Sequence, residues 1–551
     1  MPFIGQLGEA GLAKESVLGT AEAAPVRYRR FIPPFNFSTD INLLEGQGVS
    51  GVADLVRKVA QGAGQLKSGK IKYELDPEEV GDDLMAAFGT DTPTETASFT
   101  VVAHTAFTVT LNTNDYIDFT EDGGGEVSAH LTAGTYTLAG LLAEIKTRME
   151  AVGSGTYTVS FSTTTKKFTI AKDSGVFVIL WNSGTNNAKA ADTLLGFAAD
   201  TASSISATSP TAITYAETAN DAIPFTEDGG SEVTAFLTAG TYAIGTTSAT
   251  SGTLCKLIKD QLESANGTIA TYTVTYSYST KKITITKNSG VFVLKWTTGL
   301  DAGISAMTLL GFTADSASAI AATSDSTTAD FVMSHAFSRL QNAVLPSYTW
   351  WQKNGVNYPQ HAGCMLSKLE FDIKAKEFVI VDCDWLGLKY DGTGITHAAT
   401  YSSRQPFKFD MCIPSIAGSP VTNYDDLKVT IDNQVAVEHV VSNTIYGTKI
   451  YSKGMKVTVS FSMIVEDTTE WAKFIAGTST SFSIAMTSTE LIKAGFPYSL
   501  ALSIPALNYS AAPFPISKDL IKIVFTGVGV YGTGVGYTIL PTLVNGYGSA
   551  Y

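Results

Sequence analysis

Residues able to carry chemistry are scarce and scattered in this chain. Six histidines (His104, His130, His335, His361, His397 and His439) fall singly. None belongs to an HExxH pair or has a second ligand at helical spacing, so structural or surface roles are expected for them. There is no GxSxG nucleophile elbow and no GxxxxGK[ST] phosphate loop. One literal GxGxxG occurs, formed by Gly527, Gly529 and Gly532 in "GVGVYG". A dinucleotide site needs that turn to open a helix whose N-terminus holds the pyrophosphate. Here "TGVGYTIL" follows, so a glycine-rich strand at a sheet edge is expected. Two acidic phrases run from Glu121-Asp122 to Glu126 and from Glu227-Asp228 to Glu232. They lack the alternating oxygen ligands of a calcium loop and read as Asp-Gly hairpin turns. Asp382 and Asp384 in "VDCDWLG" share one face of a strand, beside Trp385, as a carboxylate pair on a sugar-binding sheet would. No partner motif supports that role, and surface or interface carboxylates are the expectation. The chain does not read as an enzyme: no catalytic, cofactor-binding or metal-binding residue is assigned, and no cofactor is called for.

The elements that surround these residues must be many. At 551 residues the chain exceeds one core and predicts several domains. It is 44% hydrophobic and only 16% charged, a low charge content compensated by Thr, Ser, Gly and Ala. That mixture suits short strands and turns, and a protein packed against copies of itself. The net charge is -14. A nucleic-acid binder shows a basic patch; the densest cluster here is "RYRR" (Arg27, Tyr28, Arg29, Arg30), which is short. Cys255, Cys364, Cys383 and Cys412 stand far apart and predict buried free thiols in a reducing assembly compartment. No signal peptide and no run of about 18 apolar residues is visible, so a soluble chain made in a cytoplasm, with no membrane partner, is expected.

The loudest pattern is a repeat. "IDFTEDGGGEVSAHLTAGTY" from Ile117 returns as "IPFTEDGGSEVTAFLTAGTY" from Ile223. Glu126 matches Glu232 and Tyr136 matches Tyr242 at an offset of 106. Later, Tyr157 matches Tyr272, Trp181 matches Trp296 and Phe197 matches Phe312 at 115. The nine-residue difference is assigned to a loop around "IGTTSATSG" (Ile244 to Gly252), since loop closure entropy grows slowly with length. Each copy predicts a strand, a helix with Leu138, Leu141, Leu142, Ile145 and Met149 on one face, a hairpin ("TYTVSFSTTTKKFTIAK"), an apolar strand ("SGVFVILW") and a closing "TLLGF". This is a tandem α+β module of domain size.

Removing roughly residues 97 to 329 leaves two flanks with a common phrase. In "SGKIKYELDPEEVGDDLMAAFGTDT", Ile71, Tyr73 and Leu75 alternate with Lys70, Lys72 and Glu74. Asp76 suits an N-cap, Pro77 the first helical turn and Gly89 a helix stop. In "GMKVTVSFSMIVEDTTEWAKFIAGTSTSF", Val457, Val459, Phe461 and Met463 alternate, and a short helix with Trp471, Phe474 and Ile475 follows, again ending at Gly-Thr. Long strands come after each helix. Element order thus predicts an older duplication of two β-barrel or sandwich domains, each with one packed helix.

These flanks resemble the tail tube proteins of long-tailed, non-contractile bacteriophages. The resemblance lies in "KESVLGTAEAAPVRYRRFIPPFNF" with its Glu15 to Thr20 phrase, in the strand-Pro-helix-FG phrase above, and in "GCMLSKLEFDIKAKEFVIVDCDWLG" and "VTVSFSMIVEDTTEWAKFIAGT". The expected fold is mainly β with short helices: two tail-tube-type domains and two inserted α+β modules that resemble virion decorations. The boundaries are 1–96 (first tube domain), 97–215 and 216–329 (the repeats), 330–400 (first tube domain, continued) and 401–551 (second tube domain). The resemblance implies a virion protein, assembled in the host cytoplasm, that polymerises into stacked rings around a DNA-sized channel. Its partners would be itself, the tape measure, terminator and distal tail proteins, and DNA passing without specific binding through a negative lumen. A duplicated tube domain predicts a homotrimeric ring of pseudo-sixfold symmetry, with a homohexamer as alternative. The competing reading is a tail-tip or adhesin-like protein whose repeats bind envelope glycans. Residues 1–24 and 527–551 are expected to be arms that order on assembly.

Overall fold

The computed structural model describes residues 8–45, 59–162, 164–215, 219–265, 270–325, 331–341, 344–353, 359–391, 398–441, 444–513 and 521–551. The chain forms two compact units, Met1–Glu95 with Val332–Tyr551, and Thr96–Phe331. The boundaries expected at 216 and 329, and His397, lie outside the described residues.

The first unit is mainly β. Its principal strands are β1 (Glu9–Lys14), β2 (Asn36–Glu45), β3 (Val59–Glu74), β4 (Gly89–Thr96), β5 (Val332–Arg339), β6 (Tyr348–Lys353), β7 (Gln360–Lys374), β8 (Ile380–Gly387), β9 (Lys389–Asp391), β10 (Tyr424–Asp432), β11 (Lys456–Ile464), β12 (Thr480–Lys493), β13 (Phe496–Ala511), β14 (Lys522–Val530) and β15 (Leu540–Asn545). The pairing repeats itself. The first half runs β2-β3-β8-β7-β6, with β9 also on β7. The second runs β10-β11-β14-β13-β12, with β15 also on β13. A helix follows the second strand of each half: Val80–Phe88 after β3 and Thr469–Ala476 after β11. Both helices stop at a glycine in the left-handed region, Gly89 (φ 89°) and Gly477 (φ 63°), where a side chain would be strained. The halves join through β7 and β10, from Lys368↔Asp432 to Lys374↔Asp426. All these strands belong to one sheet. Among the described residues it does not close into a barrel.

Alternation places the core. Ile71, Tyr73 and Leu75 are buried while Lys70, Lys72 and Glu74 are exposed, as a half-buried strand requires. The core runs through both halves, from Leu84, Phe88, Trp350 and Phe371 to Val459, Leu502 and Phe525. Each such side chain contributes about 1.5–3 kcal/mol by leaving water. The first helix starts later than its sequence phrase predicts. Residues 77–79 form a turn, Asp76 Oδ1 accepts from Glu78 N at 2.8 Å, and the helix opens at Val80 without a side-chain cap.

The described parts of the predicted arms, residues 8–24 and 527–551, are tied down within their own chain, and residues 1–7 lie outside the described residues. β1 pairs with β6. The Glu15 carboxylate accepts four hydrogen bonds, from Gly19 N (2.8 Å), Ser347 Oγ (2.7 Å), Thr349 Oγ1 (2.9 Å) and Gly363 N (2.7 Å). At the other end Tyr551 lies over Gly81, where any Cβ would sit about 2.1 Å from the ring, and the Arg27 guanidinium stacks on Tyr547 at 4.3 Å.

The second unit holds the two repeats. The first contains strands Tyr116–Glu121, Glu126–His130, Gly134–Tyr136, Tyr157–Ser162, Lys167–Lys172 and Phe177–Ile179, with helix Leu138–Val152. Helix Leu254–Ala265 and strand Tyr272–Ser277 match it in the second. Helix residues Leu141, Ile145 and Met149 correspond to Leu254, Ile258 and Leu262, all buried. That offset is 113, so 113 − 106 = 7 of the extra residues precede the helix and 115 − 113 = 2 follow it. The length difference is therefore divided, not held in one loop.

The copies are also not simply side by side. Phe107–Val109 pairs with Gly134–Tyr136 of the first repeat, Val109 opposite Gly134. The equivalent partner of Gly240–Tyr242 in the second repeat is Phe99–Val101, Val101 opposite Gly240. An Asn-Asp pair grips the backbone after each strand. Asn114 accepts from Thr110 N and donates to Thr108 O, and Asp115 accepts from Asn112 N. Asn220 accepts from Val102 N and donates to Thr100 O, and Asp221 accepts from His104 N. The second repeat thus takes its opening strand from ahead of the first, which is nested inside it.

Candidate functional surface: the polar face of the sheet

Six strands in the order β3-β8-β7-β10-β11-β14 carry a continuous polar surface on one face of the sheet. Inward they present Tyr73, Val381, Phe371, Val429, Val459 and Phe525, all nearly fully buried. Outward they present Lys70 and Lys72, Asp382 and Asp384, then Lys368, Glu370, Asp372 and Lys374. Beyond these come Asp426, Lys428 and Asp432, and finally Thr458, Ser460, Ser462 and Lys522. The period-two alternation of each strand generates both faces together.

The charges on this face are matched across strands. Lys70 lies 3.3 Å from Asp382 and 3.5 Å from Asp384, and Lys72 lies 2.9 Å from Asp382. Glu370 is held by Lys368 at 2.6 Å and Lys428 at 3.0 Å. Asp372 is held by Lys374 at 3.1 Å, and Lys522 pairs with Asp425. Partial burial would raise the Glu370 pKa, but the two ammonium groups outweigh it and bring it down to about 2. Asp372 likewise holds the Lys374 ammonium above its usual value. Exposed pairs of this kind stabilise the fold little; their effect is to occupy the cations. Lined up, they make a balanced, hydroxyl-rich surface.

A family model described as phage tail tube protein matches residues 225–527, which is 303 of 551 positions. The chain belongs to the phage tail tube family. Membership makes it a structural component of the virion tail, associating with itself and with other tail proteins, in a family with no enzymatic role. No curated protein sequence matches it.

The residues singled out for chemistry take structural places in this tail tube protein. Asp382 and Asp384 do share a face, but Trp385 points to the other side. It is buried among Tyr348 and Trp350, with ring centroids at 5.5 and 5.3 Å, so no sugar platform forms. Gly527 and Gly529 lie within β14, where a Cβ at 527 would press on Leu507 at 2.8 Å; no helix opens there. Among the described residues no group of three metal-ligating side chains converges. His104 and His130 pair with Asp221 (2.8 Å) and Asp115 (2.9 Å), and buried His335 bridges Asp91 and Tyr547 O. Within the "RYRR" cluster Tyr28 and Arg29 turn inward, Arg27 is half-buried and Arg30 is exposed. Arg27 pairs with Asp82, and the fully buried Arg29 with Asp82 and Asp83. All four cysteines are buried thiols outside any disulfide, and burial pushes the Cys412 thiol up to about 12.

The acidic repeat phrases are clasps. Asp122 and Gly123 take φ of 50° and 77°, and Asp228 and Gly229 47° and 76°, making tight hairpin turns. Asp122 bonds Lys172 Nζ (2.6 Å) and Val176 N (2.8 Å); Asp228 bonds Lys287 Nζ (2.5 Å) and Val291 N (2.7 Å). Glu121 accepts from Tyr157 Oη (2.6 Å) and from Ser154 N (2.6 Å). Sequence inspection named Glu15 and Arg29 within short phrases but not their buried partnerships, since a single acid or base gives no sign that its partners lie far along the chain. No helix among the described residues is long and apolar enough to cross a membrane.

Proposed function

We propose that this protein forms the wall of a long, non-contractile phage tail: three chains per ring, the rings stacked, and DNA delivered through the lumen. The observation that carries it is the duplicated pairing order of the first unit, strand-strand-helix followed by three returning strands, twice in one chain. If each half occupies one position around the ring, three chains fill six. The β7–β10 pairing inside the chain is then the template for the contact between chains, where exposed sheet edges become polymerisation surfaces. The polar face lines the channel. DNA slides there because Lys70, Lys72, Lys368, Lys374, Lys428 and Lys522 each already hold a carboxylate, so phosphates find few free cations.

In this reading the two repeats decorate the tube from a loop between β4 and β5, and the second repeat includes Phe99–Val101. The tape measure, terminator and distal tail proteins are the further partners, and assembly takes place in the host cytoplasm. Expressing the chain and imaging it by electron microscopy tests this. Stacked rings of three chains are expected, and rings of six chains would refute the duplication argument.

A further inference from the structure

In the second repeat, the seven residues added before the helix do not form a free loop. Thr246–Ser248 run along the outer edge of strand Tyr272–Ser277: Ser248 N donates to Val274 O (2.8 Å) and Tyr276 N donates to Thr246 O (3.0 Å). Val274 N donates to Ser248 Oγ at 3.2 Å. The first repeat lacks this segment, and among the described residues its matching strand Tyr157–Ser162 has a neighbour, Lys167–Lys172, on one side only. Tyr157 N is satisfied by Glu150 Oε1 at 2.8 Å, as Tyr272 N is by Glu263. Among the described residues the outward groups of Val159 and Phe161, the counterparts of Val274 and Tyr276, have no such cover. The side chains record the difference. Val274 and Tyr276 are 0% and 4% exposed, whereas Val159 and Phe161 are both half-exposed. A cavity of about 190 Å³, lined by Thr137, Leu138, Leu142, Tyr215, Leu300 and Asp301, connects to this strand through one of its lining residues. Its Tyr215 ring meets the Phe161 ring at 5.3 Å.

We infer that the open edge of Tyr157–Ser162 is a docking site for an extended segment of a partner protein, which adds to the sheet as a further strand. Unpaired strand edges with partly apolar side chains are a liability that folds normally cover, and strand addition is a common mode of peptide recognition. The second repeat shows which chemistry fits: an uncharged run of small hydroxyl-bearing residues, its backbone bonded to both positions and one hydroxyl accepting from the first. This inference is independent of the tube reading.

The test titrates the full chain with a labelled peptide of sequence IGTTSATSG, taken from Ile244–Gly252, read by fluorescence anisotropy. Val159→Pro removes the outward N–H while leaving the inward ladder through Thr158, Ser160 and Ser162 intact. Saturable binding weakened at least tenfold by Val159→Pro is the expected result. A second variant inserts TTSATSG between Tyr136 and Thr137, covering the edge from within the chain, and abolishes binding without removing any side chain. Absence of saturable binding up to about 1 mM peptide, a range in which weak strand addition is still seen, overturns the inference. So does binding that both variants leave unchanged. Self-association of the free chain that Val159→Pro removes would also overturn it, because the edge would then belong to a second copy.

Discussion

His361 shows how a single side chain can sit against its own chemistry. It is buried between Phe37 and Tyr390, and neither ring nitrogen has a hydrogen-bond partner among the described residues. Burial pushes its pKa down to about 4, against about 6.5 in the unfolded chain. The folded state therefore binds fewer protons. Its contribution to stability is complete above pH 6.5 and is lost as pH falls towards 4, by about 3 kcal/mol at most. His361→Phe should remove that slope and leave stability at pH 7 equal or slightly higher, measured as urea midpoints at pH 7 and 4.5; identical slopes in both proteins would contradict it. In the first repeat, Glu121→Gln weakens the clasp on Ser154 and Tyr157 and should cost roughly 1–3 kcal/mol. Adding calcium or EDTA should leave that module's melting temperature unchanged, and a calcium-dependent rise would restore the metal reading. The hairpin turn at Asp122-Gly123 was legible in the sequence because Asp-Gly has its own backbone preference. The clasp was not, because Lys172 and Tyr157 are dozens of residues away.

At the scale of elements, strands with alternating patterns such as Ile71-Tyr73-Leu75 and helices ending at Gly89 and Gly477 could be read directly, since local sterics and burial set them. Pairing could not. Phe99–Val101 and Phe107–Val109 both read "FTV", but three residues are too few to announce that one belongs to a module beginning more than a hundred residues later. Nesting has a consequence that a tandem order does not. Excising residues 105–217 should leave the second repeat complete, with its opening strand still gripped by Asn220 and Asp221, and the shortened protein should retain a cooperative melt for that module. Excising residues 219–331 should instead strand Phe99–Val101 without its partner and expose the edge of a buried sheet, giving aggregation or loss of that transition. Equal tolerance of both deletions would mean that the three-residue strand contributes little to the fold. The two helices after β3 and β11 make the same point about context. Their sequence phrases are alike, yet the first is buried under Tyr551, Tyr348 and Arg29, while Ile475 on the second stays exposed.

At the scale of the whole molecule, net charge and the local arrangement of charges are separate quantities. The net charge is -14, while the polar sheet face pairs its lysines and carboxylates almost one to one; in the proposed tube this is the face that lines the channel. Sliding then depends on pairing, which gives a sharper prediction than net charge does. Combining Asp382→Asn with Glu370→Gln releases Lys70, Lys72, Lys368 and Lys428 from their closest partners and removes two negative charges. Assembled tubes of the double variant should retain DNA in a salt-dependent way, with a steeper fall in binding between 50 and 200 mM salt, ranges over which phosphate contacts respond strongly. Unchanged DNA retention would mean that this face does not line the channel. The inserted unit can be tested separately from that face. β4 and β5, which flank the insert, pair with each other, so removing residues 97–329 and joining the ends with a short turn closes a loop between neighbouring strands, at little entropic cost. Such a chain should still assemble into tubes with the same number of chains per ring. If it folds, as judged by an unchanged cooperative melt of the first unit, but no longer assembles, then the repeats belong to the wall itself. The same sample would then show that the duplicated strand order alone is insufficient to build the ring.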